Sequence, residues 1–393
     1  MRVLTALDTL CAQQFTPLHG KRLGVVCNQA SVNRELRHII DLLLPFHQSE
    51  KLKIQAVFGP QHGLWGYTQD NMIEWEGYRD GRTGIPVYSL YGKHRQPTPS
   101  MLEGIDTLVV DLPDVGARYY TFIWTLALCM EACQQKGIPL QVLDRPNPIS
   151  GHLVEGGVLN PPFSSFVGLY PLPQRHGMTI GEIARYLNGE YIKQLQLEVI
   201  PMDEWKREMF FPDTTLPWAM PSPNMPSWET ALVYPGMCLL EGTNISEGRG
   251  TTRPFEIFGA PWINGWRLCE RLNGLGLPGV YFRPIQFQPS FHKFQGEVCE
   301  GAFLHVNNRE LFRPVETAIA ILQEVVRLYP KKFSWKQPPY EYELKKLPFD
   351  ILAGNGWLRE KIEQGVPLKE ITDKFEDELR EFLPVRQKYL IYD

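Results

Sequence analysis

The first 150 residues alternate short β-branched runs with longer amphipathic stretches, and this alternation constrains the fold more than any other feature. The runs predict strands at 22–27, 54–58, 87–90, 107–112 and 139–143. The stretches at 34–45 and 121–136 predict helices between them. Strands that alternate with helices are typical of a parallel sheet covered on both faces. We therefore predict an α/β fold with a Rossmann-like parallel-sheet N-terminal domain.

The second half of the chain has a different pattern, which indicates a smaller α+β C-terminal domain. It predicts a strand at 231–240 and helices at 179–187, 265–272, 315–328 and in the charged C-terminal tail. A Pro- and Trp-rich stretch at 212–228 indicates the junction between the two domains. Because 393 residues exceed one ordinary core, we expect two domains, 1–220 and 221–393, with a cleft between them.

Composition and missing motifs exclude several classes of function. Neither G-x-G-x-x-G nor a P-loop follows the first predicted strand, so no dinucleotide, ATP or other cofactor is expected. No metalloprotease or nucleophile-elbow pattern is present, and no metal is expected. The net charge of −4 comes with scattered basic residues, which argues against nucleic-acid and membrane partners.

The cysteines and the N-terminus predict a cytoplasmic protein. Seven cysteines, odd in number and dispersed, do not form a disulfide framework. We expect Cys129 and Cys133 to be buried on one helix face. The N-terminal residues lack the apolar core of a signal peptide, and no apolar run approaches the roughly 20 residues that span a bilayer.

Polar clusters follow four of the predicted strands, where open parallel sheets bind their ligands. They comprise Asn28 and Gln29; Gln61 and His62; Asp111, Asp114, Arg118, Tyr119 and Tyr120; and Asp144, Arg145 and Asn147. Singly, each cluster also fits a turn or a local ion pair. Their coincidence at one edge of the sheet favours a site. Glu182, by contrast, fits a capping box with Thr179, and His176 stays ambiguous.

A second cluster lies at 241–254 and contains Glu241, Asn244, Glu247, Arg249 and Arg253. Its glycines predict close approach of the backbone to another group, although a solvated, salt-bridged loop is the alternative. A glycosidase uses one carboxylic acid to protonate the leaving oxygen and usually a second carboxylate as base or nucleophile. This cluster therefore suits sugar chemistry, and one or two of the ten tryptophans are expected to touch sugar.

Five segments, in order along nearly the whole chain, carry a resemblance to a known family. They are 24–29 (GVVCNQ), 114–121 (DVGARYYT), 143–148 (LDRPNP), 221–226 (PSPNMP) and 241–254 (EGTN through RP). The chain resembles the NamZ-type exo-β-N-acetylmuramidases. The resemblance implies a Rossmann-like domain, a smaller C-terminal domain, a cleft between them, and release of N-acetylmuramic acid (MurNAc) from non-reducing ends of peptidoglycan fragments such as MurNAc–GlcNAc.

The resemblance suggests roles for these residues. We take Gln61, His62, Asp114, Glu241 and Glu247 as candidate catalytic residues. The candidate substrate-binding residues are Asn28, Arg118, Tyr120, Asn147, Asn244, Arg249 and Arg253. The lactyl carboxylate of MurNAc is an anion that Arg118, Arg249 or Arg253 could grip through paired hydrogen bonds.

One position departs from the family pattern. The loop after the second strand reads Pro-Gln-His-Gly, with Gln61 where the family has a glutamate expected to be catalytic. An amide cannot act as general acid or base at neutral pH. Three alternatives remain: another carboxylate (Glu74, Glu76, Asp114, Glu241 or Glu247) supplies the proton, the activity has shifted to another amino-sugar glycoside, or the chain binds sugar without cleaving it. Retaining, inverting and substrate-assisted mechanisms stay open.

Overall fold

A seven-stranded sheet organises the N-terminal half in the computed structural model, which describes residues 2–70 and 72–393. The strands are β1 Arg22–Cys27, β2 Lys53–Gly59, β3 Tyr78–Arg79, β4 Pro86–Ser89, β5 Thr107–Asp111, β6 Leu140–Leu143, β7 Glu155–Val158, β8 Pro173–Arg175, β9 Leu197–Ile200, β10 Ile257–Ala260, β11 Val280–Phe287 and β12 Cys299–Val306. The large sheet has the order β3-β4-β2-β1-β5-β6-β9 and is parallel except for β3. Strands β10-β12-β11 form an antiparallel sheet, and β7 pairs with β8.

Helices cover the sheet and build much of the C-terminal half. They are α1 Ala6–Ala12, α2 Ile39–Gln48, α3 Phe122–Lys136, α4 Ile180–Leu187, α5 Trp228–Met237, α6 Gly265–Gly274, α7 Pro314–Leu328, α8 Pro348–Ala353, α9 Trp357–Glu363 and α10 Leu368–Gln387. None of the described helices is long and apolar enough to cross a membrane.

The predicted parallel sheet is confirmed, and all five predicted strands are present with ends shifted by at most one residue. β1 is buried after its first residue, because helices cover both faces of the sheet. Thr179 and Glu182 form the predicted capping box of α4. Cys129 and Cys133 are fully buried on α3, as predicted.

Two predictions about secondary structure are wrong. The helix predicted at 34–45 begins only at Ile39, where His38 caps it, and continues through Pro45 to Gln48. The strand predicted at 231–240 is helix α5, followed by a tight helical turn at Cys238–Gly242. A helix buried on all sides gives the same continuous apolar run as a buried strand, and periodicity does not separate them.

The large apolar core contains residues from both sides of residue 220. One apolar cluster joins one face of the sheet to the C-terminal helices and runs from Val26 on β1 to Phe382 on α10. A smaller cluster fills the other face of the sheet, between α1, α2 and strands β1 and β2. The C-terminal half therefore packs directly on the sheet, and its loops approach the carboxyl ends of the strands.

Candidate active site

A pocket lies beyond the carboxyl ends of β2 and β5, closed from the other side by C-terminal segments. It encloses about 450 Å³ of empty space, including its mouth. Its walls are Gln61, His62, Tyr119, Tyr120, Thr121, Phe122, Val167, Ser222, Asn224, Met225, Tyr234, Glu241, Arg249, Phe255, Tyr340 and Glu341. We call it the Glu241 pocket. Five of the predicted site residues, Gln61, His62, Tyr120, Glu241 and Arg249, meet there.

Glu341, which the sequence did not single out, is a buried carboxyl group in this pocket. It lies in the loop between α7 and α8. Its Oε2 accepts a hydrogen bond from the Tyr91 hydroxyl at 2.8 Å. Burial, with a further contribution from the negative charge of Glu241, raises the pKa of Glu341 to about 7. Glu341 can therefore hold a proton near neutral pH, as a general acid must.

Gln61 contacts the carboxyl group of Glu341 and contributes an amide, not a second acid, to the pocket. Its Nε2 lies 3.4 Å from Glu341 Oε1, and its Oε1 accepts a hydrogen bond from the Thr121 hydroxyl at 2.7 Å. Thr121 immediately precedes α3, the helix that follows β5. The amide thus connects the loop after β2, the start of α3 and the C-terminal loop, and it fixes the position of Glu341.

Glu241 is the second carboxylate of the pocket and is held ionised. Its two oxygens accept hydrogen bonds from Arg249 Nη2 and from the Tyr340 hydroxyl, both at 2.7 Å. Burial raises the pKa of Glu241, but the charge of Arg249 and these hydrogen bonds outweigh it and hold the pKa below its usual value. The pKa values of Glu241 and Glu341 are therefore displaced in opposite directions, as in sites that divide acid and base roles between two carboxyl groups.

Glu247 lies behind Arg249, outside the walls of the pocket. Its carboxylate is 2.8 Å from Lys293 Nζ, 3.2 Å from His292 Nδ1 and 3.3 Å from Arg249 Nε. Burial raises its pKa, yet the charge of Lys293, the contact with His292 and the charge of Arg249 together bring the pKa well below its usual value. Glu247 thus anchors Arg249, and it is not among the described residues that line the Glu241 pocket.

His62 has its ring in the pocket with one nitrogen already bonded. Its Nδ1 lies 2.7 Å from the Thr68 carbonyl oxygen and donates to it. Burial lowers the pKa of His62 to about 4, so the ring is neutral at pH 7. Neutral His62 can offer only Nε2, as a hydrogen-bond acceptor.

Aromatic residues form the remaining wall. Tyr120 packs edge-on against Tyr234 with ring centroids 6.0 Å apart, and Tyr234 packs on Phe255 at 4.8 Å. The tryptophan expected to touch sugar is not among the described residues that line this pocket. Trp218 lines a neighbouring cavity, described below, and Trp65 is exposed.

Three asparagines predicted to bind substrate instead hold the chain together. Their amide nitrogens donate to backbone carbonyls: Asn28 to Pro221, Asn147 to Met178 and Asn244 to Lys332. Their amide oxygens accept backbone N–H groups of residues 30, 149 and 334. Both ends of each amide are therefore hydrogen-bonded within the protein.

Two of the three predicted arginines also lie elsewhere. Arg118 is fully buried, and its guanidinium donates to the carbonyls of Gly157, Leu172 and Leu352. Arg253 is half exposed and pairs with Glu256 at 3.3 Å on the wall of a separate groove. Of the three, only Arg249 lines the Glu241 pocket.

The other predicted acids are also outside this pocket. Asp114 accepts from the Gly116 backbone N–H at 2.8 Å and lies 3.1 Å from His176 Nε2. It lines an adjacent cavity with Trp218, where the chain order reverses between β1 and β5. Glu74 and Glu76 are exposed, and Glu74 accepts from the Tyr342 hydroxyl at 3.0 Å.

The glycines of the 241–254 segment explain its buried path. A Cβ at Gly248, where φ is +81°, would lie 2.5 Å from the Ile257 carbonyl oxygen, and one at Gly250 would lie 2.6 Å from that of Phe291. The predicted close approach is thus to the protein's own backbone. The segment is packed and ion-paired, and Glu241 and Arg249 are rigidly placed as a result.

A buried pocket with two carboxyl groups, whose pKa values are displaced in opposite directions, fits the acid and base chemistry of a glycoside hydrolase. Family models identify which kind. The model described as exo-β-N-acetylmuramidase NamZ, N-terminal, matches residues 23–229, and the C-terminal model matches residues 232–392. The chain belongs to the exo-β-N-acetylmuramidase NamZ family.

Individual relatives agree over the full length. The chain is 48% identical over 391 residues to the peptidoglycan β-N-acetylmuramidase NamZ of Bacillus subtilis, covering 100% of this chain and 92% of the relative. Two crystal structures of DUF1343 family proteins from Bacteroides fragilis are similar, with TM-scores of 0.88 and 0.75 at 35% and 28% identity. Both alignments cover 100% of this chain and 99% of the other. The walls of the Glu241 pocket come from both matched parts.

Proposed function

We propose that this chain is an active exo-β-N-acetylmuramidase that releases MurNAc from the non-reducing end of MurNAc–GlcNAc and related peptidoglycan fragments. The observation that carries the proposal is the pairing of Glu241 and Glu341 in one buried pocket, with pKa values displaced in opposite directions. Family membership supplies the substrate class, since the Bacillus relative is named for peptidoglycan and β-N-acetylmuramidase activity.

In this mechanism Glu341 is the general acid. Its proton passes to the glycosidic oxygen as the bond from that oxygen to the anomeric carbon of MurNAc breaks; a water molecule completes the hydrolysis by adding its oxygen to that carbon and giving up a proton. Glu241 stays ionised and places negative charge beside the oxocarbenium-like sugar ring that develops. Arg249 and Tyr340 keep Glu241 ionised and fix its orientation, while Gln61 and Tyr91 fix the orientation of Glu341. Gln61 therefore does not prevent catalysis, because the acid is supplied from the C-terminal half.

Hydrolysis by the purified protein tests the proposal directly. We expect release of free MurNAc and GlcNAc from MurNAc–GlcNAc, detected by chromatography and mass spectrometry. We expect no cleavage inside longer glycan chains. Binding of the disaccharide without hydrolysis would instead support a sugar-binding homologue. Cleavage of GlcNAc glycosides in preference to MurNAc glycosides would indicate a changed substrate.

Gln61→Glu distinguishes a relocated acid from an impaired site. The new carboxyl group would replace the Gln61 amide, which lies 3.4 Å from Glu341. Two carboxyl groups this close share one proton, because it is costly for both of them to be ionised at once. The pKa on the alkaline side of the profile then rises, so kcat/KM should persist to higher pH, with a maximal rate within about tenfold of wild type. The pH profile of disaccharide hydrolysis measures this shift.

A matched control exists in the sheet. Gln141 Nε2 lies 2.5 Å from Glu198, and Gln141→Glu creates a similar pair outside the pocket, which should leave the pH profile unchanged. If Gln61→Glu instead raised the rate a hundredfold or more, on the order of the effect of adding a general acid, position 61 would be the acid site and the natural chain would be impaired.

Arg249 is the arginine placed to recognise the lactyl carboxylate, which N-acetylglucosamine lacks. Arg249→Lys keeps the charge but loses the planar donor geometry. We expect the ratio of kcat/KM for aryl MurNAc over aryl GlcNAc glycosides to fall about tenfold, the equivalent of one good charged hydrogen bond. Arg253→Ala, outside the pocket, is the control and should not change the ratio. An unchanged ratio in Arg249→Lys would remove this residue from substrate recognition.

A further inference from the structure

A second cavity adjoins the first at Glu341, and no role has yet been assigned to it. Arg95, Phe166 and Tyr342 form its walls together with Glu341 and Glu343, around about 670 Å³ of empty space that includes its mouth. We call it the Arg95 cavity. Glu341 is part of the wall of both this cavity and the Glu241 pocket.

This shared wall matters because of where a general acid must stand. The proton has to reach the oxygen that joins the departing sugar to the sugar being released. A carboxyl group that does so lies between the two binding sites. If the Glu241 pocket holds MurNAc, as the proposed function requires, the cavity on the other side of Glu341 faces the leaving group.

Arg95 is arranged to bind a ligand in this cavity. Its guanidinium lies 3.9 Å from the Tyr342 ring centroid and 5.8 Å from that of Phe166. Within the described part of the chain it makes no hydrogen bond or ion pair. Stacking on an aromatic face holds a guanidinium in place and leaves the N–H groups at its edge free to donate.

Tyr342 is itself held firmly, so the stacked pair is a fixed surface. Its hydroxyl donates to Glu74 Oε1 at 3.0 Å, and its ring packs edge-on against Tyr91 and Phe166, with centroids 5.8 and 6.3 Å away. Tyr342 is 38% exposed, so the ring remains reachable from the cavity. Aromatic surfaces with fixed donors suit the apolar face and the hydroxyls of a pyranose ring.

The charges indicate a neutral saccharide. Glu343 lines the cavity as a carboxylate, and the Lys345 backbone N–H that donates to it at 2.8 Å lowers its pKa. Arg95 places a positive charge on the walls, and Glu343, which also lies 3.4 Å from Lys346 Nζ, places a negative one. We propose that the Arg95 cavity is the subsite for the leaving sugar, a neutral N-acetylated amino sugar whose carbonyl and hydroxyl oxygens accept hydrogen bonds from Arg95.

Binding of free GlcNAc, followed by saturation-transfer NMR, tests this subsite without requiring catalysis. Arg95→Ala and Tyr342→Ala should each weaken GlcNAc binding about tenfold and leave MurNAc binding within about twofold. With MurNAc–GlcNAc as substrate, both variants should raise KM, whereas hydrolysis of MurNAc β-fluoride, which has no leaving sugar, should keep the wild-type rate. Tyr342→Phe is the conservative variant, because it retains the aromatic ring that Tyr342→Ala removes. Tyr281→Ala, at an exposed tyrosine on β11, is the control for loss of a tyrosine outside the cavity.

The outcomes separate the two proposals. Unchanged GlcNAc binding in both alanine variants would overturn the subsite, even if the wild-type protein hydrolyses the fluoride. Failure of the wild-type protein to hydrolyse either substrate would overturn the proposed function. An equal loss on the fluoride and on the disaccharide in Arg95→Ala would show that Arg95 supports the pocket structurally, and would also overturn the subsite.

Discussion

Glu341→Gln should lower kcat/KM for MurNAc–GlcNAc by about 10²–10⁴-fold, the usual contribution of a general acid. The amide keeps the size of the side chain; its oxygen can still accept from Gln61 and its nitrogen can donate to the Tyr91 hydroxyl oxygen, but it has no acidic proton to transfer. An aryl glycoside with an acidic phenol needs little help to depart, so its hydrolysis should fall much less. Steady-state kinetics with both substrates measure the difference.

The pH dependence adds a second signature. Since burial raises the pKa of Glu341 to about 7, the acid is protonated below that pH and loses its proton above it. Wild-type kcat/KM should therefore decline above about pH 7, and the decline should disappear in Glu341→Gln. Glu76→Gln, an exposed carboxylate outside the pocket, is the control and should behave as wild type. A wild-type rate in Glu341→Gln would place the acid elsewhere.

The sheet could be predicted from the sequence because its information is local. Strands buried on both faces are β-branched runs, and α4 carries a recognisable apolar stripe and a capping box. The error at α5 has the same origin: a helix buried on all sides has no polar face, so its sequence contains no period to read.

The candidate site was predictable only in part. Glu241, Arg249, Gln61 and His62 stand in short dense motifs, and these motifs do meet in the structure. Glu341 is 280 residues from Gln61 in sequence, and only packing of the C-terminal half on the sheet brings them together. Its raised pKa comes from burial and from a neighbouring charge, neither of which is visible in the isolated Tyr-Glu-Tyr sequence.

The predicted site residues that lie outside the pocket show a second reason why the site could be predicted only in part. Arg118 and Asn147 are polar residues at strand ends, where a binding site was expected, yet they bond to backbone carbonyls in a crowded loop region. Irregular loops packed against a core contain many buried carbonyls that need donors. Polar residues at the edge of a sheet therefore include both ligand-binding and loop-supporting groups. The three-dimensional structure is needed to distinguish the two.

Glu241→Gln should reduce hydrolysis of both the disaccharide and an activated aryl glycoside, by about 10²–10³-fold, as expected when charge stabilisation of the transition state is removed. This pattern differs from that of Glu341→Gln, because negative charge beside the sugar ring is needed whatever the leaving group. The amide can still bond to Arg249 and Tyr340, so the pocket should keep its shape. Kinetics with both substrates, together with thermal unfolding, provide the measurement.

Glu247→Gln is the matched control, since it removes the same charge from the other side of the same arginine. Glu247 is fully buried and does not line the pocket, and its loss leaves Lys293 and Arg249 with less compensation. We expect a lower unfolding temperature with hydrolysis within about tenfold of wild type, because a buried charge left unpaired costs stability. If both variants lost hydrolysis equally and their unfolding temperatures fell equally, Glu241 would be a structural anchor of Arg249. The carboxylate that faces the sugar would then have to be another acid near the pocket.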